Sequence, residues 1–369
     1  ANEVRHLLGD YAYPCHIETL IEMKEKGTAF NMPIPENIDL VGNFVPIRPI
    51  LDGIADKIGP STRLLYAKGC DVLGESRDGF AAAVEAAQNA EVAIVVVGGK
   101  SGLVDSCTTG EARDCVDLGL TGVQLELVQA VYATGTPVVV VLVNGRPLAI
   151  PWIAEHVPAI VEAWLPGEEG AEAVADVLFG DYNPGGKLPI TLPVHVGQVP
   201  IYYGVKPSGG RSHWKETYVD CSNKPLFPFG YGLSYTTFAL RDLRVARERV
   251  PTGETIVVSV DIENTGDRAG DEVVQLYVRD EVASVTRPRL ELKGFKRVHL
   301  APGEVRTLQF ELHTTQLAFY DRDMRLVVEP GDVTVWAGFS SDDLPLSCRI
   351  ELTGDVLQVS ERVYFSRTS

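Results

Sequence analysis

The hydrophobic pattern of this chain changes its period once, near Phe238, and that change limits the fold to a mixed layered domain followed by an all-β one. Upstream, Ala93-Ile-Val-Val-Val97, residues 138–143 and Ala159-Ile-Val-Glu-Ala163 are nearly continuous apolar, β-branched runs, the pattern of strands covered on both faces. Between them apolar residues recur at helical spacing, as at Val123, Leu127, Ala130 and Val131, and again over 80–89 and 170–179, where Gly180 marks the stop. Such alternation implies crossover connections and a mostly parallel sheet. Residues 64–67 read as a further strand, 50–58 as a helix with Ile50, Ile54 and Ile58 on one face, and 17–26 as a short helix inside an irregular insertion over 16–45. After Phe238 the period becomes two: Ile256, Val258, Val260 and Ile262 alternate with polar neighbours, as do Leu308, Phe310 and Leu312. With turns at Asn264-Thr-Gly266, Ala301-Pro-Gly303 and Glu329-Pro-Gly331, this is the pattern of a β-sandwich of immunoglobulin or fibronectin type III kind. The resulting division is an α/β domain over 1–205, an ordered linker over 206–238 and a β-sandwich over 239–369.

Charge and motif content narrow the function. The 369 residues carry a formal net charge of −17, which argues against nucleic acid and anionic membranes as partners and suits a neutral substrate. No apolar run approaches the roughly 18–20 residues needed to span a bilayer, and no secretory leader opens the chain. The lack of a leader leaves localisation open between cytoplasm and secretion. Cys15, Cys70, Cys107, Cys115, Cys221 and Cys348 show neither C-x-x-C pairs nor metal-ligand spacing, so no metal is expected and reduced thiols are the default. Cys107 and Cys115 nevertheless bracket one loop and are placed to staple it. No G-x-G-x-x-G follows a strand, no Walker-type Lys is present, and no G-x-S-x-G elbow occurs, which disfavours nucleotide cofactors and Ser-based hydrolysis.

The loop in question is Ser106-Cys-Thr-Thr-Gly-Glu-Ala-Arg-Asp114. It connects a strand to a helix beyond the strand's carboxyl end, where open α/β sheets place their ligand sites. Glu111 is its candidate functional acid, although on position alone a solvated loop carboxylate is the better reading. Glu168 and Glu169 occupy a comparable loop but precede a helix, where they would stabilise its N-terminus.

Thr109-Gly-Glu-Ala-Arg-Asp114 with Leu118-Gly-Leu-Thr-Gly-Val-Gln124 resembles the acid/base loop of glycoside hydrolase family 3. Asn144-Gly-Arg-Pro147, Ala163-Trp-Leu-Pro-Gly-Glu-Glu-Gly170, Gly180-Asp-Tyr-Asn-Pro-Gly-Gly-Lys-Leu-Pro189 and Pro225-Leu-Phe-Pro-Phe-Gly-Tyr-Gly-Leu-Ser-Tyr235 resemble the family's later signatures, in the family's order. Gly9-Asp-Tyr11 resembles the piece that follows its first sandwich strand. The resemblance implies a six-stranded α/β sandwich, then a fibronectin-like domain. It implies that Glu111 is the general acid/base of a retaining exo-β-glycosidase acting on terminal β-glucosyl or β-xylosyl residues of oligosaccharides or aryl glycosides. The nucleophilic Asp would lie on an N-terminal barrel domain outside this chain, a necessary partner; a homo-oligomer is compatible. Arg113 and Asp114 are expected to pair and shape the loop, with direct substrate contact the alternative. His213 and Trp214 invite sugar stacking, against the simpler role of anchoring the linker. Arg287, Arg289 and Lys293 are expected to face solvent or a neighbouring domain. The competing class is a carbohydrate-binding or docking subunit without catalysis.

Overall fold

Runs of β-branched residues can satisfy their backbone only in a sheet and their side chains only under cover, and the first part of the chain supplies both. The computed structural model describes residues 1–27, 46–206 and 218–369. Residues 28–45 of the expected insertion and 207–217 of the expected linker, including His213 and Trp214, lie outside the described residues. The chain divides into two compact units: Ala1–Tyr182 with Pro193–Gly197, and Asn183–Leu192 with Gln198–Ser369.

In the first unit, α1 (Tyr13–Glu25) and α2 (Ile50–Lys57) are followed by α3 (Phe80–Gln88), β1 (Ala93–Gly98), α4 (Gln124–Tyr132), β2 (Val138–Val143), α5 (Pro151–His156), β3 (Ala159–Trp164) and α6 (Gly170–Phe179). The strands form one parallel sheet in the order β1-β2-β3. The central strand is the most deeply covered: Val140, Val141 and Val143 are fully buried. Each such side chain contributes roughly 1.5–3 kcal/mol over its exposed state. One face packs Val141 and Val143 with Leu7, Ile50 and Ile54 of the N-terminal segment and α2, and with Val174 and Ala175 of α6. The helical face read from Ile50 and Ile54 is therefore a core face.

Three expectations need correction. The parallel sheet has three strands among the described residues, where the resemblance implies six. Residues 64–67 form no ladder there; with Ile94 and Val96 they line a groove of about 610 Å³. An extended apolar stretch becomes a strand only with a partner for its backbone, and no described segment fills that place. The insertion's short helix begins earlier than expected, at Tyr13, because Pro14 suits a first turn where its missing N–H costs nothing. Pro151 starts α5 in the same way.

The second unit carries β4 (Phe238–Val245), β5 (Arg249–Pro251), β6 (Thr255–Asn264), β7 (Gly270–Asp280), β8 (Glu291–Leu300) and β9 (Val305–His313). Then come β10 (Phe319–Tyr320), β11 (Leu326–Val328), β12 (Gly331–Gly338), β13 (Leu346–Thr353), β14 (Leu357–Gln358) and β15 (Arg367–Thr368). A five-stranded sheet, β5-β13-β12-β7-β8, and a four-stranded sheet, β15-β9-β6-β4, share one core; β10-β11-β14 form a small third sheet. Along β6 alternate residues are buried, with Ile256, Val258, Val260 and Ile262 at zero exposure, as period-two patterning requires. The aromatic motif before β4 packs against β7. There Gln275 donates to the carbonyls of Gly230 (3.0 Å) and Phe339 (2.6 Å), and its Oε1 accepts from the buried Tyr277 hydroxyl (2.6 Å). Arg287 and Lys293 do not simply face solvent: both pair with Glu291, at 2.9 and 3.0 Å, and Lys293 donates to the Gln316 carbonyl at 2.9 Å.

One half-buried acid in the first unit, with an enclosed carboxyl oxygen, sets a pH dependence. Glu162 of β3 accepts the Trp164 N–H at 3.2 Å through Oε1, while its Oε2 and the buried Oδ1 of Asn144 have no hydrogen-bond partner among the described residues. Burial pushes the Glu162 carboxyl up to about 7, against weaker opposing pulls from the Trp164 N–H and the Asn144 side chain. The unfolded chain loses this proton near its ordinary value of 4.5, whereas the folded chain keeps it to about 7. Stability should therefore fall as pH rises through that window, by on the order of 3 kcal/mol at most. Glu162→Gln has no proton to lose there. Melting temperatures of the two proteins should draw apart in favour of the variant between about pH 5 and pH 8, and a difference independent of pH would show that Glu162 ionises freely in the fold.

Candidate functional site

The site is built where the parallel strands end. Gly98, the last residue of β1, has φ +145°, and a Cβ there would collide with the Val143 carbonyl at the end of β2. Glycine is required by this close approach. The buried Gln124, first residue of α4, then completes the edge: its Oε1 accepts the Gly98 N–H and its Nε2 donates to the Gly98 carbonyl, both at 2.8 Å, with a further bond to the Val72 carbonyl at 3.2 Å. The chain leaving β1 folds back on itself through a parallel bridge between Ser101 and Thr109, with Gly102 N–H donating to Thr109 O at 2.9 Å and Thr108 N–H to Lys100 O at 2.9 Å. Gly110 sits at φ +128°, where a side chain would strike the Gly102 carbonyl.

Two sets of contacts hold this loop from outside. On one side α1 presents Glu18, which pairs with Arg5 at 2.8 Å and Lys100 at 2.5 Å; the three side chains are 19%, 11% and 12% exposed. Lys100 also donates to Ser106 Oγ at 3.0 Å. Further along α1, Glu22 accepts the Asp105 N–H at 3.1 Å, and Lys26 pairs with Asp105 at 2.7 Å. On the other side Arg146 donates to the Arg113 carbonyl and to Cys115 Sγ, while the Asn144 side chain fixes the Arg146 carbonyl at 2.8 Å. Within the loop Arg113 donates to the carbonyls of Cys107 (3.1 Å) and Asp105 (3.0 Å).

Glu111 is exposed at the crest of this loop. Its Oε2 accepts the Tyr11 hydroxyl at 2.5 Å, and its backbone N–H donates to Asp10 Oδ2 at 3.2 Å. Ala112, the next residue, has φ +57°, a strained value for a residue with a side chain; Trp164 at the end of β3 has φ +53°. Strain of this kind persists only where surroundings over-determine it, and it concentrates at functional sites. The Glu111 carboxylate, accepting its hydrogen bond, holds the Tyr11 phenol above its ordinary range. A carboxyl so placed can give or take a proton at a ligand approaching the carboxyl end of the sheet. Among the described residues no group of three or more His, Cys, Asp or Glu is arranged to hold a metal ion.

The remaining expected site residues fall out differently. Arg113 pairs with Asp105 at 3.7 Å rather than with its neighbour Asp114, which is exposed. No staple forms across the loop: all six cysteines are free thiols, Cys107 buried and Cys115 exposed beside Arg146. Glu168 and Glu169 are exposed just ahead of α6. Sequence reasoning gave no site role to Asp10, Tyr11 or Arg146, although it marked Gly9-Asp-Tyr11 and Asn144-Gly-Arg-Pro147 as motifs.

Residues 6–235 match the glycosyl hydrolase family 3 C-terminal domain, and residues 272–341 match a fibronectin type III-like domain. The chain is 46% identical over 311 residues to a β-xylosidase of Formosa agariphila, an alignment covering 83% of this chain and 42% of that protein. It is 37% identical over 318 residues to the periplasmic β-glucosidase of Salmonella typhimurium, covering 79% and 41%. A solved β-glucosidase from Listeria innocua in complex with glucose superposes with a TM-score of 0.72 at 37% identity, over 78% of this chain and 40% of that one. The chain thus spans about two fifths of the length of these relatives. The order of motifs around Glu111, the sheet that carries them and the match over 6–235 place the chain in glycosyl hydrolase family 3, as its C-terminal domain followed by a fibronectin type III-like domain.

Proposed function

We propose that this chain supplies the general acid/base, Glu111, of a retaining exo-β-glycosidase that releases terminal non-reducing β-D-glucosyl or β-D-xylosyl residues. The observation that carries the proposal is the Glu111 carboxyl itself, exposed on a loop that is tied on both sides and anchored at the end of the sheet. Relatives named β-xylosidase and β-glucosidase support the substrate class, and the Listeria innocua enzyme has been solved with glucose, laminaribiose and isofagomine.

Retaining hydrolysis needs a second carboxyl roughly 5–5.5 Å from the first, to attack the anomeric carbon while the first protonates the departing oxygen and later activates water. The nucleophilic Asp is assigned to a barrel domain of the same enzyme. Its arrival over Glu111 would add burial and a neighbouring negative charge, the two effects that keep a carboxylic acid protonated near neutrality. Arg113, its guanidinium committed to loop carbonyls, shapes the loop, and exposed Asp114 is the better placed of the two to meet substrate. In the same reading further strands complete the sheet, and the groove between residues 64–67 and the free edge of β1 is where one would lie.

Two outcomes follow. The 369-residue chain purified without a barrel should show no appreciable turnover of an activated aryl β-glucoside or β-xyloside; turnover near that of the full-length enzyme would place both carboxyls in this chain. In the full-length enzyme, Glu111→Ala should lower kcat/KM about 10²- to 10⁴-fold for substrates with poor leaving groups and far less for activated aryl glycosides, because a stable aryl oxide needs little protonation, while the activated substrates stall at the glycosyl-enzyme for want of a base. Azide should restore turnover of the activated substrate by attacking the glycosyl-enzyme in the space left by the carboxylate. Equal losses on both substrates without azide rescue would move the role to another acid, with Glu168 and Glu169 next to test.

A further inference from the structure

We propose that Tyr11 is a positioning residue for Glu111, fixing which carboxyl oxygen carries the transferable proton. The inference rests on the acid/base reading of Glu111 and deepens it. A hydrogen bond between two exposed side chains ordinarily contributes little, because both must be ordered to make it. Here both ends are ordered already. Tyr11 is 68% exposed, yet its ring lies edge-on to His16 of α1 with centroids 5.8 Å apart. Its backbone is held by the turn that opens α1, where the Gly9 carbonyl accepts the Ala12 N–H at 3.1 Å and the Cys15 thiol at 2.8 Å. On the facing side, Asp10 grips the Glu111 amide at 3.2 Å, and Gly110 and Ala112 bracket Glu111 with backbone conformations that leave it little freedom.

The chemistry follows from the donor count. The phenol donates to Oε2 at 2.5 Å. It can do so both when Glu111 is a carboxylate and when it is a carboxylic acid protonated on Oε1, because Oε2 is an acceptor in either state. With Oε2 occupied, the proton resides on Oε1. In the first step Oε1–H passes its proton to the glycosidic oxygen as the glycosidic bond breaks. In the second, Oε1 accepts a proton from the water that attacks the glycosyl-enzyme, and Tyr11 gains and loses nothing in either step.

The test uses the full-length enzyme in four forms: parent, Tyr11→Phe, Glu111→Gln and the double variant. Each is assayed on aryl β-glycosides of graded leaving-group ability. Tyr11→Phe should lower kcat/KM about five- to twenty-fold for poor leaving groups, the scale of one charge-assisted hydrogen bond. It should leave kcat/KM of activated substrates nearly unchanged, because kcat/KM reports only the first step and a stable aryl oxide needs little protonation there. In the Glu111→Gln background the same substitution should cost nothing further. Loss of kcat/KM that is equal across leaving groups, or equal in both backgrounds, would overturn the role of Tyr11, and a general folding defect would show itself in that way. If Glu111→Gln itself shows no dependence on leaving group, the acid/base reading fails and takes this inference with it.

Discussion

The candidate site depends on one hydrogen-bonded closure, the pairing of Gln124 with both backbone groups of Gly98. At that point β1 stops and the loop departs, and a buried peptide group with no partner would cost a few kcal/mol. Gln124 suits the place because an amide side chain offers one acceptor and two donors in a plane, matching a peptide N–H and C=O together. Since Gln124 also begins α4, the closure couples the loop's point of departure to the helix that receives it. A shorter or apolar residue would leave both groups of Gly98 dry and unpaired at the foot of the loop.

Charge carries the next layer of organisation. Glu18, Arg5 and Lys100 bring three formal charges into a largely enclosed space, where desolvation opposes them and only close mutual pairing makes the arrangement tolerable. Such a cluster specifies geometry more than it stabilises. It joins α1 to the loop's first residues, while Arg146 joins the end of β2 to its last ones. The crest with Glu111 is thus suspended between two fixed points and keeps its exposure without being loose.

Much of this was legible in the sequence where the physics is local. The run 138–143 is a strand over those very residues because five valines and a leucine in succession fit a strand covered on both faces, and β6 alternates as its residues do. Helix α6 runs from Gly170 to Phe179 and stops at the glycine that marks it. Residues 64–67 misled because a strand is a property of two segments, and composition reveals only one of them. The loop bearing Glu111 could be found from its motif and its place after β1, but its partners could not. Asp10 and Tyr11 lie about a hundred positions away, and Arg113 pairs with Asp105 across the loop where adjacency in sequence pointed to Asp114.

That separation also bears on how the protein matures. Tyr11 and Glu111 are 100 residues apart, so their hydrogen bond closes only after the intervening chain has condensed into its sheet and helices. A nascent or partly melted chain can hold Glu111 on its loop and still lack the phenol that orders it. If Glu111 is the acid proposed above, a molecule that has misdocked this one turn would remain nearly native by bulk measures while working more slowly on the substrates that most need a proton.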